Sequence, residues 1–325
     1  MTAKPSEKSE GVFEGEQMKV TNKLNLPSAF VRAVSRERHN KPNQFSATTL
    51  LKGVKEIVLT LRHFDELEID AAELLFAVFG TAVHAIMEAN AGADDFVEES
   101  FETKIGAFTV TGKCDSYDMD AGVVWDWKTA STWKIIMKDF DDWKRQGLIY
   151  AYLMRANGLT VNECRFVALL KDYSRTKART EKDYPPAPVY VYAFPVTESE
   201  LEEIGAFIRE KIGGIEKALK LPDEEIPPCT PSERWERGAG FAVKKKGNKR
   251  ATRILSGRDE AENLAESLGK EFVVEERKGE SVKCAGYCPC RDFCDFYRRM
   301  NESRIFRGKK NARRAHKAKF TAGNA

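Results

Sequence analysis

In the run Val123-Val124-Trp125-Asp126-Trp127-Lys128, strand alternation puts Val124, Asp126 and Lys128 on one face and Val123, Trp125 and Trp127 on the other. An apolar strand carrying a carboxylate and an ammonium on one face restricts the fold, because those charges need partners wherever the strand is packed. Eleven residues upstream, Gly112-Lys113-Cys114-Asp115 ends a second strand-like segment with another carboxylate. The segments ESFETKI, AFTVTGKCDSY and VVWDWKT read as three strands of a meander, joined by turns at Gly106 and at Asp120-Ala121-Gly122. Two carboxylates on adjacent strands repel unless a cation neutralises them, so Asp115 and Asp126 point to a hard divalent ion such as Mg²⁺ or Mn²⁺.

A bare D/E-x-K match is weak, since Glu102-Thr103-Lys104, Asp142-Trp143-Lys144 and Glu276-Arg277-Lys278 also satisfy it. Taken alone, Asp126 and Lys128 read as a surface ion pair. Their context separates them from the other matches. A helix from Ser46 carries Leu50, Leu51, Val54, Ile57, Val58 and Leu61 at helical spacing. A second, ELLFAVFGTAVHAIMEANAG, has an apolar stripe through Leu75, Val78, Phe79, Ala82, Val83 and Ile86, with His84 at its edge. After the strands, FDDWKRQGLIYAYLMRANG predicts a helix with Gln146 and Tyr150 four apart, hence on one face. The strands CRFVALLKDY and VYVYAFP follow, then a helix over about 198–220. This order predicts an α/β arrangement with a mixed sheet flanked by helices.

The remaining chain has a different character. Of seven cysteines, Cys229, Cys284, Cys288, Cys290 and Cys294 lie in its last third, four of them within eleven residues, a density that favours soft-metal ligation over disulfides. Cys114 and Cys164, in apolar strand contexts, read as inert core thiols. Between Cys229 and Cys284, a hairpin turning at Gly247-Asn248, a helix in DEAENLAESLG and a strand in EFVVEER form a small module. Net charge is only +3, but Lys244, Lys245, Lys246, Lys249 and Arg250 cluster, and Arg313 and Arg314 belong to a basic tail. Single basic runs are usually solvated faces; two of them beside a candidate hydrolytic site favour phosphate contacts. The organisation expected is a disordered tail over 1–22, a core over 23–222, a cysteine module over 223–297 and a basic tail over 298–325. No apolar run near 20 residues and no secretory leader is apparent, so a cytoplasmic, non-membrane protein is expected.

The blocks Gly80-Thr81-Ala82-Val83-His84, Gly112-Lys113-Cys114-Asp115, Asp126-Trp127-Lys128-Thr129 and Gln146-Gly147-Leu148-Ile149-Tyr150 occur in order. In order and spacing the set resembles the RecB-like branch of the PD-(D/E)XK nucleases, which includes RecB and AddB nuclease domains, four-cysteine CRISPR-associated nucleases and phage exonucleases. The resemblance implies a restriction-endonuclease-like core acting on DNA ends or single strands, as an exonuclease in recombination, repair, replication or phage DNA processing. It implies His84, Asp115, Asp126 and the Trp127 carbonyl as ligands of Mn²⁺ or Mg²⁺, with Asp115 and Asp126 also catalytic and Lys128 the catalytic lysine. Gln146 and Tyr150 would orient Lys128 or the scissile strand. It further implies a [4Fe-4S] cluster on Cys229, Cys284, Cys288 and Cys294, with Cys290 the alternative ligand. In those relatives the distant cysteine usually precedes the core, whereas no cysteine precedes Cys114 here, and zinc is the alternative metal. Two other readings stand beside this one: a non-cleaving nucleic-acid-binding or assembly protein, and a nuclease subunit working with a helicase, recombinase or CRISPR partner. Any motor would be a separate protein, since the chain has no GxxxxGK[ST] motif.

Overall fold

The structure, a computed structural model, describes residues 18–35, 43–91, 96–97 and 100–302. Its chain divides into two compact units, Met1–Phe45 with His63–Leu201, and Ser46–Arg62 with Glu202–Ala325. This differs from the division expected at residue 222. The helix at Val54–Arg62 and most of the Glu198–Ala218 helix belong with the cysteine-bearing unit.

The first unit is built on a mixed five-stranded sheet in the order Val189–Pro195, Glu163–Leu170, Val123–Ala130, Ser116–Asp118, Phe96–Val97. Only the Val123–Ala130 and Glu163–Leu170 pair is parallel, with Asp126 opposite Phe166. A parallel pair needs a crossover, and the Asp141–Ala156 helix supplies it. That helix buries Trp143, Ile149, Leu153 and Met154, and Trp143 stacks on Phe166 with ring centroids 5.9 Å apart. Gly147 makes the close approach possible: a Cβ there would lie 2.9 Å from Phe194 Cζ and 3.0 Å from Phe166 Cε2.

The meander expected from the sequence is broken. Phe108–Lys113 pairs antiparallel with Ser100–Ile105 in a separate sheet, and the chain bends at Cys114-Asp115 before Ser116–Asp118 joins the strand carrying Asp126. Asp115 therefore sits in the bend between two sheets and not at a strand end. The stretch read as a tail to residue 22 also contains a strand, Lys19–Thr21, paired in parallel with Glu68–Asp70. Asp70 fixes this corner by accepting from Lys23 N and Ala72 N, and these donors hold its carboxyl below the usual value.

The Leu75–Ala89 helix departs further from expectation. None of its residues is buried, so the stripe through Leu75, Phe79 and Ile86 is not core. Together with the preceding turn it spans Ala71–Ala89 at a mean hydropathy of 1.4, long and apolar enough by composition to cross a bilayer, contrary to the absence of such a run expected above.

In the second unit, Gly240–Lys245 lies between Arg253–Leu255 and Phe272–Arg277 in an antiparallel sheet covered by the Arg258–Leu268 helix. Val243, Ala261 and Ala265 form its small core with Phe241, Leu264 and Val274. The hairpin, helix and strand thus lie where the pattern places them, with Gly247 at φ +86° in the turn. The helix expected from Ser46 is two helices, Ala47–Leu50 and Val54–Arg62, parted by Gly53, where a Cβ would fall 2.4 Å from Cys229 Sγ.

Substituting Gly147→Val should destabilise the fold by about 1–3 kcal/mol, as overpacking of a tight core does. A lowered thermal midpoint with unchanged secondary structure by circular dichroism is the expected result.

Candidate active site

Four elements of the first unit bring the conspicuous residues together. Asp126, on the strand between Ser116–Asp118 and Glu163–Leu170, is 2% exposed, and burial pushes its carboxyl above the usual range despite the opposing pull of Lys128. Lys128 Nζ lies 2.5 Å from Asp126 Oδ2 and 5.5 Å from the Phe166 ring centre. The Lys128 ammonium is thus the partner of this buried Oδ2. The other oxygen accepts from Gln146 Nε2 at 3.3 Å, and the same nitrogen donates to Tyr150 Oη at 2.5 Å. Burial raises the Tyr150 phenol well above its ordinary value, keeping it protonated.

The bend delivers Asp115 to the same place. Its Oδ2 accepts from Trp127 N at 2.7 Å, and its Oδ1 is 2.7 Å from His84 Nδ1. That hydrogen bond raises the His84 pKa. Gly112, just before the bend, allows the crossover helix to close in, since a Cβ there would lie 2.7 Å from Leu153 Cδ1 and 2.8 Å from Tyr150 Cδ1.

His84, Asp115, Asp126, Trp127, Lys128, Gln146 and Tyr150 are thus linked through one set of contacts. Two of the other D/E-x-K matches are engaged elsewhere. Asp142 pairs with Lys134, Lys144 pairs with Glu200, and Glu276 pairs with the half-exposed Arg258. Among the described residues no three or more His, Cys, Asp or Glu side chains are already drawn to metal-binding distances. The residue types nonetheless suit a hard or borderline divalent ion, with the His84 imidazole bonded to the Asp115 carboxylate and that carboxylate bonded to the backbone next to Asp126.

The cysteines gather within the second unit. Cys229, Cys284, Cys288, Cys290 and Cys294 all line one cavity of about 20 Å³, with Lys55, Glu56 and Phe296. Cys290, expected to be spare, is the most buried of the five at 1% exposed; its Sγ is 3.6 Å from Cys288 Sγ and donates to Glu56 O. The contact between the two sulfurs lowers the Cys288 thiol and raises that of Cys290, while burial pushes Cys229 up to about 12 and Cys284 to about 11. Lys55 donates to Asp223 O and Ile226 O and pairs with Asp295, and Glu56 pairs with Lys283, so buried charges frame the thiols. Sequence reasoning missed Lys55 and Glu56. The signal was available, as two adjacent charges inside the apolar run of Val54–Arg62.

Of the proposed DNA contacts, Lys245, Lys246, Lys249 and Arg250 are exposed on the hairpin, whereas Lys244 is paired with Glu275. Arg313 and Arg314 lie outside the described residues. Cys114 and Cys164 are buried, and burial holds the Cys164 thiol well above its ordinary value.

If Asp126 is held ionised and buried at a cost, Asp126→Asn should raise the thermal midpoint of metal-free protein. Adding Mn²⁺ should stabilise the wild type, as any ligand of the native state does, and leave the variant unmoved. A wild type that melts identically with and without Mn²⁺ would count against a cation site here.

No protein-family model matches the chain, and no curated protein matches it in sequence. Among solved structures it is similar to a protein described as SSO0001, at 14% identity and a TM-score of 0.38, over 57% of this chain and 81% of that one. It is also similar to a phage-related exonuclease from Haemophilus somnus 129PT, at 12% identity and 0.32, over 54% and 95%. An alkaline exonuclease from Laribacter hongkongensis gives 12% and 0.33, over 59% and 93%. Likenesses this distant leave the functional reading to rest on the residues themselves.

Proposed function

We propose that the chain is a metal-dependent deoxyribonuclease of the PD-(D/E)XK superfamily, in its RecB-like branch, acting as an exonuclease on DNA ends or single strands in a reducing cytoplasm. The observation that carries this reading is the buried Asp126 carboxylate paired with Lys128, beside the Asp115–His84 pair.

His84, Asp115, Asp126 and the Trp127 carbonyl would hold the ion. When bound, Mn²⁺ or Mg²⁺ polarises the phosphate and lowers the pKa of water, the two requirements of phosphodiester hydrolysis. Lys128 then places a positive charge at the phosphate, where negative charge develops as the water oxygen bonds to phosphorus and the ester P–O bond breaks. Gln146 fixes the rotamer of Asp126 from one side and is itself fixed by Tyr150. An imidazole ligand suits Mn²⁺ better than Mg²⁺, so turnover with Mn²⁺ should be the greater. Exposed Lys245, Lys246, Lys249 and Arg250 supply phosphate contacts on the second unit.

The test is cleavage of end-labelled single- and double-stranded DNA with Mn²⁺. Asp126→Ala should abolish it, and Lys128→Ala should lower the rate by about 10²–10³-fold, the usual loss when a transition-state donor is removed. DNA affinity should fall steeply as salt rises. Cleavage that survives in Asp126→Ala would favour a protein that binds nucleic acid without cutting it.

The thiol cavity supports a second part of the proposal: Cys229, Cys284, Cys288 and Cys294, or Cys290 in place of one of them, hold a [4Fe-4S] cluster, or zinc, that staples the second unit. Anaerobically purified protein should show broad visible absorption, and stripping the metal should lower the thermal midpoint. A colourless sample containing stoichiometric zinc would assign zinc.

A further inference from the structure

The Leu75–Ala89 helix presents its apolar side to solvent in the same unit that holds the candidate site. Phe76 is 54% and Phe79 44% exposed, and their rings meet edge to face with centroids 6.1 Å apart. Contiguous exposed apolar surface of this kind marks an interaction site more often than scattered single residues do. A cation adds to the feature: Lys171 Nζ stands 3.6 Å from the Phe76 ring centre. Lys171 is exposed and directly follows the Glu163–Leu170 strand, and its N–H donates to Ala130 O at the end of the strand carrying Asp126 and Lys128. Three further cations continue from it, Arg175, Lys177 and Arg179, all exposed on the short Arg175–Thr180 helix.

The aromatic pair and the candidate site are joined by one helical ridge. Phe76, Gly80 and His84 follow the i, i+4 row, and a Cβ on Gly80 would lie 3.9 Å from Thr129 Oγ1, the residue after Lys128. Phe76 and His84 are about 12 Å apart along the axis at the usual rise per residue, a span that a single strand crosses in a few nucleotides.

We infer that Phe76 and Phe79, with Lys171, form a nucleobase-stacking platform that leads single-stranded DNA to His84 and Asp126. The inference rests on the nuclease reading above and deepens it by naming the form of the substrate. With Lys171 against one face of Phe76, the remaining exposed ring surface of the pair offers stacking to bases whose own faces are free, which those of a duplex interior are not, and the four exposed cations match a phosphate backbone. An apolar protein partner or a bilayer interior would instead have to desolvate the Lys171 ammonium on the Phe76 ring.

The test is binding of fluorescent oligo(dT) and of a blunt duplex to the full chain, in chelator so that nothing is cut. Phe76→Ala with Phe79→Ala should weaken oligo(dT) about tenfold or more, given roughly 1–3 kcal/mol of stacking per base, and leave duplex affinity unchanged. Tyrosine at both positions should restore binding, and leucine at both should not. Undiminished oligo(dT) binding by the alanine pair would overturn the platform, as would rescue by leucine, which would indicate an apolar contact with a protein or a second copy. An equal loss on duplex would overturn it too. Cleavage with Mn²⁺ keeps the two ideas separable. If the alanine pair binds like wild type while Asp126→Ala alone stops cleavage, the platform falls and the nuclease stands; if Asp126→Ala cleaves normally, the nuclease reading falls whatever the binding shows.

Discussion

A carboxylate buried at 2% exposure, held against the ammonium of a lysine two residues along its strand, is the constraint around which the first unit is organised. Leaving such a group unpaired is costly, and Asp126 is tolerated because each neighbour offsets part of that cost. Lys128 supplies charge from two residues along the same strand, Gln146 donates from the crossover helix, and Tyr150 positions Gln146. A core designed for stability alone would have placed a leucine or valine here. Natural sites that keep a strained group commonly trade stability for activity in this way.

The bend at Cys114-Asp115 is the second half of the same arrangement. By leaving one sheet and entering another, the chain puts both oxygens of Asp115 to use, one on the backbone of the strand carrying Asp126 and one on the helix carrying His84. Gly112 and Gly147 serve this geometry by letting the crossover helix approach both sheets more closely than any side chain at either position would allow.

Much of this was legible in the residues. Strand alternation placed Asp126 and Lys128 on one face, helical spacing placed Gln146 with Tyr150, and turn residues located the hairpin at Gly247. What could not be read was set by long-range packing. The break in the meander leaves no local mark, because Phe108–Lys113 and Ser116–Asp118 both have strand-like patterns and differ only in which strand they pair with. The Leu75–Ala89 stripe looked like a core stripe because periodicity reports that a helix is amphipathic, not what covers it. Cysteine spacing grouped Cys290 with Cys284, Cys288 and Cys294 but did not show that it is the most buried of them, since its position depends on the carbonyl of Glu56, more than two hundred residues away in sequence.

On the proposed reading, His84, Asp115 and Asp126 hold one divalent cation. Anomalous X-ray scattering from a crystal grown with Mn²⁺ tests it most directly. A peak within bonding distance of the His84 imidazole and both carboxylates, lost in Asp126→Ala, is the result this account predicts. Density for Mn²⁺ elsewhere on the protein, with Lys128 still paired to a metal-free Asp126, would contradict it.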